Sequence, residues 1–331
     1  MLKEVIKRII VIIVGILISA SIWHINCNIF NNPLERCLII STCLFFIVYT
    51  PFETYFSVRN IWYERWSDLD LEGIIKKKVR IPLESKDKDK NITINIIKSH
   101  DLTESKKDTF IIINHGYSDT KQTLEYLYLP LAMQGYTILI YDARGTGDSR
   151  KLGKRYHFQK RIEDYQKIIQ WIKSHKKYHK YQIYSIGFSI GGIISISGSF
   201  NDLNVKKIIA ISCISHYKKN LLRLNPIILF SYILRGISLF PDKEKSEMLS
   251  PYNIFENQKK TLSKEEYKKL SERIYLIHAK NDRVIKFNNF KENCSILELP
   301  EKNQLIFKKG GHTMKKNEVA LVGGILRFLD N

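Results

Sequence analysis

Cysteine is sparse in this 331-residue chain, and its five copies, Cys27, Cys37, Cys43, Cys213 and Cys294, include no pair at the close spacing of a metal knuckle. A thiolate metal centre is therefore not expected, and the odd count argues against a full disulfide framework; reduced, mostly buried thiols in a reducing compartment fit better. Carboxylates are also in short supply. There are 33 aspartates and glutamates against 53 lysines and arginines, a formal net charge of +20. Such a surplus raises nucleic acid as a partner. The chain has no glycine-rich phosphate loop, no zinc-ligand spacing and no recognition-helix motif, so nucleic acid is not expected. The lysines fall instead in scattered clusters, Lys76-Lys77-Lys78, Lys176-Lys177, Lys218-Lys219, Lys259-Lys260 and Lys268-Lys269. That distribution suits solvated faces, or a domain held beside an anionic leaflet where each basic residue adds about 1 kcal/mol of attraction. No internal repeat or long low-complexity segment is present. With 44% hydrophobic residues the chain is not disordered, and residues 74–331 suffice for one substantial core.

Long apolar runs are confined to the N-terminal part. Residues 9–25 and 38–52 carry no formal charge. Each is slightly short of the roughly 20 residues that cross a bilayer core, and flanking residues can extend both. Lys3, Lys7 and Arg8 precede the first run, a prefix that resembles a signal peptide. No clear small-x-small cleavage site follows, and a second apolar run does, so a retained two-helix anchor over residues 1–56 is expected. Between the runs only Arg36 is basic, whereas Arg59, Arg65 and Lys76-Lys77-Lys78 follow the second. The positive-inside rule then puts both ends of the hairpin, and the domain after it, in the cytoplasm. A second run lying only in the interface would put that domain on the other side. In the juxtamembrane segment 57–73, Trp62, Tyr63 and Trp66 either form an interfacial collar or pack on the following domain.

From residue 74 onward, short apolar runs alternate with helical stretches. Strands are expected at 78–83, 92–98, 110–114, 137–141, 182–186, 207–211, 274–277 and near 304–307. The first two are joined by the charged turn 84–90. This alternation implies a mainly parallel sheet with helices on both faces. One strand end is especially informative. Gln182-Ile183-Tyr184-Ser185-Ile186 runs into Gly187-Phe188-Ser189-Ile190-Gly191, and Gly192-Ile193-Ile194 then begins a tightly packed helix. A serine on so sharp a strand-to-helix turn projects its hydroxyl above the sheet, where the helix N-terminus and a free N–H can stabilise an oxyanion. Small residues two before and two after it are needed because the turn is cramped and the helix must approach its strand closely.

Serine is a poor nucleophile at neutral pH and needs a histidine base, itself oriented by a carboxylate. Where such an elbow is used, the acid and then the histidine follow the serine along the chain. His312 lies in the glycine-rich loop Lys309-Gly310-Gly311-His312-Thr313 and is the candidate base. His278 ends the strand at 274–277 and is expected to order the next loop; His216 opens a basic segment and reads as solvated. The candidate acid is Asp282, in Ala279-Lys280-Asn281-Asp282, at a strand's carboxyl end where ligands gather in open α/β sheets. Glu298, read within a strand, and Glu301, in a turn, are less well placed. A second oxyanion donor comes from the loop after an earlier strand. Here His115-Gly116-Tyr117-Ser118 follows the strand at 110–114, which makes the Tyr117 and Ile190 N–H groups the candidates.

These stretches, together with Tyr141-Asp142-Ala143-Arg144-Gly145-Thr146-Gly147-Asp148-Ser149, resemble the α/β-hydrolase superfamily. The nearest branches are the serine aminopeptidase, monoacylglycerol lipase-like and membrane-anchored hydrolase-domain types. The motifs stand in family order across about residues 74–331. The resemblance implies Ser189 as nucleophile, Asp282 as acid and His312 as base, with Asp142 and Arg144 structural. Ala279 stands where the family often has glycine, and the usual proline after the aspartate loop is absent; neither change removes a reacting atom.

The interval from Ser215 to about Leu270 is too long for a plain crossover and reads as a helical lid. Its apolar part, residues 225–234, would line an acyl pocket, touch the bilayer or pack on the core. The reading is a membrane-anchored serine hydrolase acting on a small-molecule or lipid-like acyl substrate, with membrane lipids as partners and no metal or organic cofactor implied. An enzyme rival is an aminopeptidase-type peptidase, which would need a lid carboxylate for the substrate's amine; Glu244, Glu247 and Glu256 are candidates. A non-enzyme rival is a membrane scaffold that kept the fold, against which the retention of Ser189, Asp282 and His312 counts.

Overall fold

The computed structural model describes residues 2–63, 73–83, 90–100, 108–117, 119–221, 238 and 241–330. The chain divides into two compact units, residues 1–67 and 68–331.

The first unit is a helical hairpin. Helix α1 (Leu2–His24) continues through a π-helical turn (Ile25–Ile29), and α2 covers Leu34–Tyr63. Flanking residues lengthen both apolar runs. Arg8–Ile29 and Leu34–Tyr55 each offer 22 residues, with mean hydropathies of 2.2 and 1.6. The Ser21 and Ser41 hydroxyls donate to the carbonyls of Leu17 and Cys37 one turn back, at 2.8 and 2.6 Å. The helices pack closely enough that a Cβ on Gly15 would lie 3.2 Å from the Phe45 ring. Arg8 and Glu53 pair at 3.3 Å across the open end. Ile9, Ile10, Ile13, Leu17, Leu38, Ile39 and Ile47 remain exposed. The side chains of the expected aromatic collar at Trp62, Tyr63 and Trp66 lie outside the described residues.

The second unit is built on one eight-stranded sheet: β1 (Ile74–Pro82), β2 (Asn91–Ser99), β3 (Thr109–Asn114), β4 (Thr137–Tyr141), β5 (Gln182–Phe188), β6 (Val205–Ile211), β7 (Ile274–Ala279) and β8 (Gln304–Phe307). The order is β1-β2-β4-β3-β5-β6-β7-β8. β1 and β2 form an antiparallel hairpin whose second strand runs antiparallel to β4, and every later pairing is parallel. Side chains alternate between two cores, as the period of two in a strand requires. Phe110, Ile112, Leu139 and Ile183 face one core with α4 (Phe158–Ser174) and α5 (Ile190–Ser199). Ile111, Ile113, Ile138 and Ile186 face the other with α3 (Glu125–Met133) and the last helix, Glu318–Asp330. With both faces covered, the strands can be almost wholly isoleucine, leucine and aromatic.

The stretch expected to form a lid begins with α6 (Tyr217–Leu221). Residues 222–237, which include the apolar segment 225–234, lie outside the described residues. Helices Lys243–Met248, Pro251–Thr261 and Lys264–Ser271 follow. Leu249, Phe255, Tyr267 and Leu270 from this stretch are buried in the first core, and the Phe255 ring meets Phe200 edge-on at 4.9 Å. Glu298 departs from the expectation of a strand. It caps helix Asn288–Leu297 with a left-handed backbone, φ 50°, and pairs with Lys259 at 2.6 Å. Of the thiols, Cys37 and Cys213 are buried, Cys27 and Cys294 half-buried and Cys43 exposed.

Candidate active site

β3 has β4 on one side and β5 on the other, so the chain reverses its direction of travel across the sheet there, and the carboxyl ends beside such a reversal form a crevice. The loops after β3, β5, β7 and β8 carry His115 to Tyr117, Ser189, Asp282 and His312 in turn.

Ser189 joins β5 to α5 with φ 55° and ψ −115°, a backbone conformation that costs a non-glycine residue about 1–3 kcal/mol and persists only where its surroundings impose it. Its own N–H donates to the Ile211 carbonyl at 2.8 Å, and its carbonyl accepts from Gly192 at 2.9 Å. A Cβ on Gly191 would lie 1.8 Å from the Asn114 carbonyl oxygen, and one on Gly187 would lie 2.2 Å from the Gly191 oxygen. The two glycines therefore let the first turn of α5 lie directly against the end of β3, beside the loop that starts at His115.

The structure brings the three candidate triad residues into one hydrogen-bonded line. Ser189 Oγ lies 3.0 Å from His312 Nε2, and His312 Nδ1 lies 2.8 Å from Asp282 Oδ2. An ionised carboxylate only accepts, so Nδ1 carries the proton and Nε2 is free to accept from the serine hydroxyl. The other carboxylate oxygen of Asp282 accepts the N–H groups of Val284 and Ile285 at 2.8 and 2.9 Å, which fixes the rotamer. Burial alone would raise the Asp282 carboxyl, but the His312 hydrogen bond and charge, the Ile285 N–H and His278 hold it below the usual carboxylate range.

His278 donates through Nε2 to the Ile285 carbonyl at 2.9 Å, ordering the loop that carries Asp282, and burial lowers its pKa. His216 is not simply solvated. Its ring stacks on Tyr252 with centroids 4.5 Å apart, and Nδ1 lies 3.3 Å from Glu292 and 3.1 Å from Ser215 Oγ. Glu247 and Glu256 lie 3.9 and 3.0 Å from Lys243 and Lys260 on their own helices, and Glu244 stands in the first turn of Lys243–Met248.

The two candidate oxyanion donors sit on neighbouring pieces of backbone. Ile190 N–H is at the first position of α5, where no residue four back accepts it within the helix. Tyr117 N–H is in the loop after β3. That loop is tied down by groups whose importance composition and spacing do not reveal. Buried His115 accepts the Ala143 N–H on Nε2 at 2.8 Å and donates from Nδ1 to the Gly116 carbonyl at 2.7 Å. Asp142 accepts the N–H groups of Lys121 and Asp148, both at 2.9 Å, and pairs with the buried Lys121 ammonium, which also bonds Asp148. Arg144 forms a two-pronged pair with Asp164 at 3.0 and 2.7 Å. Asp142 and Arg144 thus have the structural surroundings that the family pattern implies. Behind β3, Asn114 donates to Ser195 at 2.8 Å and accepts from Tyr141 at 2.5 Å.

The neutrality of His115 has a measurable consequence. Burial, with Arg161 nearby, depresses its pKa from 6.5 to about 4. Between these values the unfolded chain binds a proton that the folded state refuses, so stability rises with pH. The contribution is fully present above pH 6.5 and is lost progressively as pH falls to about 4, a span worth on the order of 3 kcal/mol. Urea unfolding of wild type at pH 7 and pH 4 is expected to show a larger difference than the same pair of measurements on His115→Asn.

Together these features give the α/β-hydrolase fold, with a Ser189-His312-Asp282 line at the carboxyl ends of its strands, to this chain. Within it, residues 105–260 match the family described as serine aminopeptidase, S33. Solved structures agree on the fold. An esterase of Pyrococcus furiosus shares 18% identity over 78% of this chain and 91% of its own, with a TM-score of 0.53. The acylaminoacyl peptidase of Pyrococcus horikoshii shares 16% identity over 78% of this chain, with a TM-score of 0.54, and this chain spans 41% of that protein. The esterase domain of a Rhodothermus marinus protein shares 15% over 76% of this chain and 96% of its own, with a TM-score of 0.50. No curated protein sequence matches this chain.

Proposed function

We propose that this protein is a membrane-anchored serine hydrolase that cleaves an ester, thioester or amide of an apolar acyl group through Ser189, His312 and Asp282. The observation that carries the reading is the continuous line from Ser189 Oγ through His312 to Asp282, at 3.0 and 2.8 Å. His312 Nε2 takes the Ser189 proton as Oγ bonds to the substrate carbonyl carbon, and Asp282 stabilises the resulting imidazolium. The carbonyl oxygen, now negative, is held by the N–H groups of Tyr117 and Ile190. Collapse of this intermediate transfers the proton from His312 to the leaving group and leaves an acyl-serine. Water, deprotonated by His312, then attacks the acyl carbon, and Ser189 leaves with the proton.

Residues 1–56 serve as the anchor in this reading. Two 22-residue apolar helices support it, and the basic residues before the first and after the second favour a cytoplasmic catalytic domain. A membrane address and the apolar sequence of residues 225–234 favour a lipid-like acyl chain. The S33 family match keeps a second reading, aminopeptidase-type amide cleavage, as an outcome of the same test. Detergent-solubilised full-length protein should be assayed on p-nitrophenyl esters from two to sixteen carbons and on aminoacyl amides. The lipid reading expects kcat/KM to rise about tenfold or more from acetate to medium or long chains, since each buried methylene adds about 0.8 kcal/mol. Turnover of aminoacyl amides alone would replace it with the peptidase reading.

A further inference from the structure

The loop after β3 contains a second buried carboxylate that the triad does not use. Asp119 is 5% exposed, and its Oδ2 accepts the Gly116 N–H at 3.1 Å. A Cβ on Gly116 would sit 2.3 Å from that oxygen, so glycine is the residue that admits the contact. The other side of Gly116 is held too, because its carbonyl accepts from His115 Nδ1 at 2.7 Å. The Gly116 carbonyl and the Tyr117 N–H are opposite ends of one planar trans peptide unit. Fixing the carbonyl on His115 therefore aims the Tyr117 N–H the opposite way, and fixing the Gly116 N–H on Asp119 stops the preceding peptide from rotating. Without the carboxylate, the Gly116 N–H would be a buried donor lacking its partner, and glycine offers little conformational resistance to a flip.

We propose that Asp119 is a positioning residue: by accepting the Gly116 N–H it ties the start of the loop to its far side and holds the Tyr117 N–H in place for the carbonyl oxygen of the substrate. This rests on the reading of Tyr117 as an oxyanion donor under Proposed function. The surroundings of the carboxylate add an electrostatic element. Burial raises its pKa, opposed by His312 from the loop after β8, the Gly116 N–H, the Thr123 hydroxyl and Arg161 from α4. The His312 ring that becomes cationic during the reaction thus has Asp282 bonded to Nδ1 and the Asp119 carboxylate as a second negative neighbour. The loop needs only an acceptor oxygen at position 119, whereas the electrostatic element needs the charge.

That distinction supplies the test. The full chain in detergent, as wild type, Asp119→Asn, Asp119→Ala and Asp119→Glu, would be assayed on one p-nitrophenyl ester, with Ser189→Ala as blank and a thermal melt for each. Asp119→Ala is expected to lose about 30- to 100-fold in kcat with KM within threefold, the signature of a misplaced transition-state donor. Asp119→Asn, whose amide oxygen still accepts the Gly116 N–H, is expected to stay within about fivefold of wild-type kcat. If the alanine variant does not fold, Asp119→Glu serves in its place, since one extra methylene displaces the acceptor, and at least a tenfold loss in kcat is expected. A kcat within threefold of wild type for alanine, or for glutamate when alanine does not fold, overturns the proposal; equal losses for asparagine and that variant do the same. A wild type no faster than Ser189→Ala would instead remove the underlying reading of the site.

Discussion

The substitution Asp282→Asn is expected to lower kcat by about 10⁴-fold while KM changes little. The reason is specific to the way this carboxylate is held. One oxygen accepts two backbone N–H groups, from Val284 and Ile285, so the amide of the Asp282→Asn variant must turn its oxygen to them and its NH₂ to His312. His312 Nδ1 would then have to accept, which moves the ring proton to Nε2, and the ring could no longer take the Ser189 proton. Steady-state kinetics on a p-nitrophenyl ester, with a melting curve to show that the variant is folded, would check this. A loss below about tenfold would mean that Asp282 does not set the tautomer.

The second large effect is expected from a single methyl group. Gly191→Ala places a Cβ 1.8 Å from the Asn114 carbonyl oxygen, a backbone atom that cannot turn aside, so α5 must retreat from the end of β3. Overpacking of this kind costs about 3 kcal/mol or more. Because the same retreat separates the Ile190 N–H from the loop bearing the Tyr117 N–H, kcat should also fall, by about 10²-fold or more. Gly323→Ala in the last helix is the control: nothing lies within 4 Å of its Cβ, and a gain of about 0.5–1 kcal/mol is expected from helix propensity. Chemical denaturation of both variants tests the contrast, and similar midpoints would show that the elbow is not sterically closed.

Much of the sheet was legible because a strand covered on both faces must be apolar along its whole length. The runs at 137–141 and 304–307 coincide with β4 and β8. β1 begins earlier than expected, at Ile74 rather than Lys78, because an edge strand can carry Lys76 and Lys77 into solvent, which hides its period. The Ser189 elbow was legible from its glycines, since close backbone approach leaves a compositional trace. Contacts between distant residues leave none. Nothing in the spacing along the chain marks the contact of the Asp119 carboxylate with Gly116, or the place of Lys121 between Asp142 and Asp148. His216 sits in a basic segment of the sequence, yet its partners Tyr252 and Glu292 arrive from other elements. Glu298 is expected in a strand and instead caps a helix, because an apolar stretch ending in Leu297 fits a short helix as well as a strand.

The most direct measurement is intact-mass and peptide analysis of the full-length protein after reaction with a fluorophosphonate probe. One adduct on the peptide containing Ser189, lost in both Ser189→Ala and His312→Ala, is the predicted result. An adduct that persists in Ser189→Ala, or that maps to another residue, would contradict the assignment of Ser189 as the nucleophile.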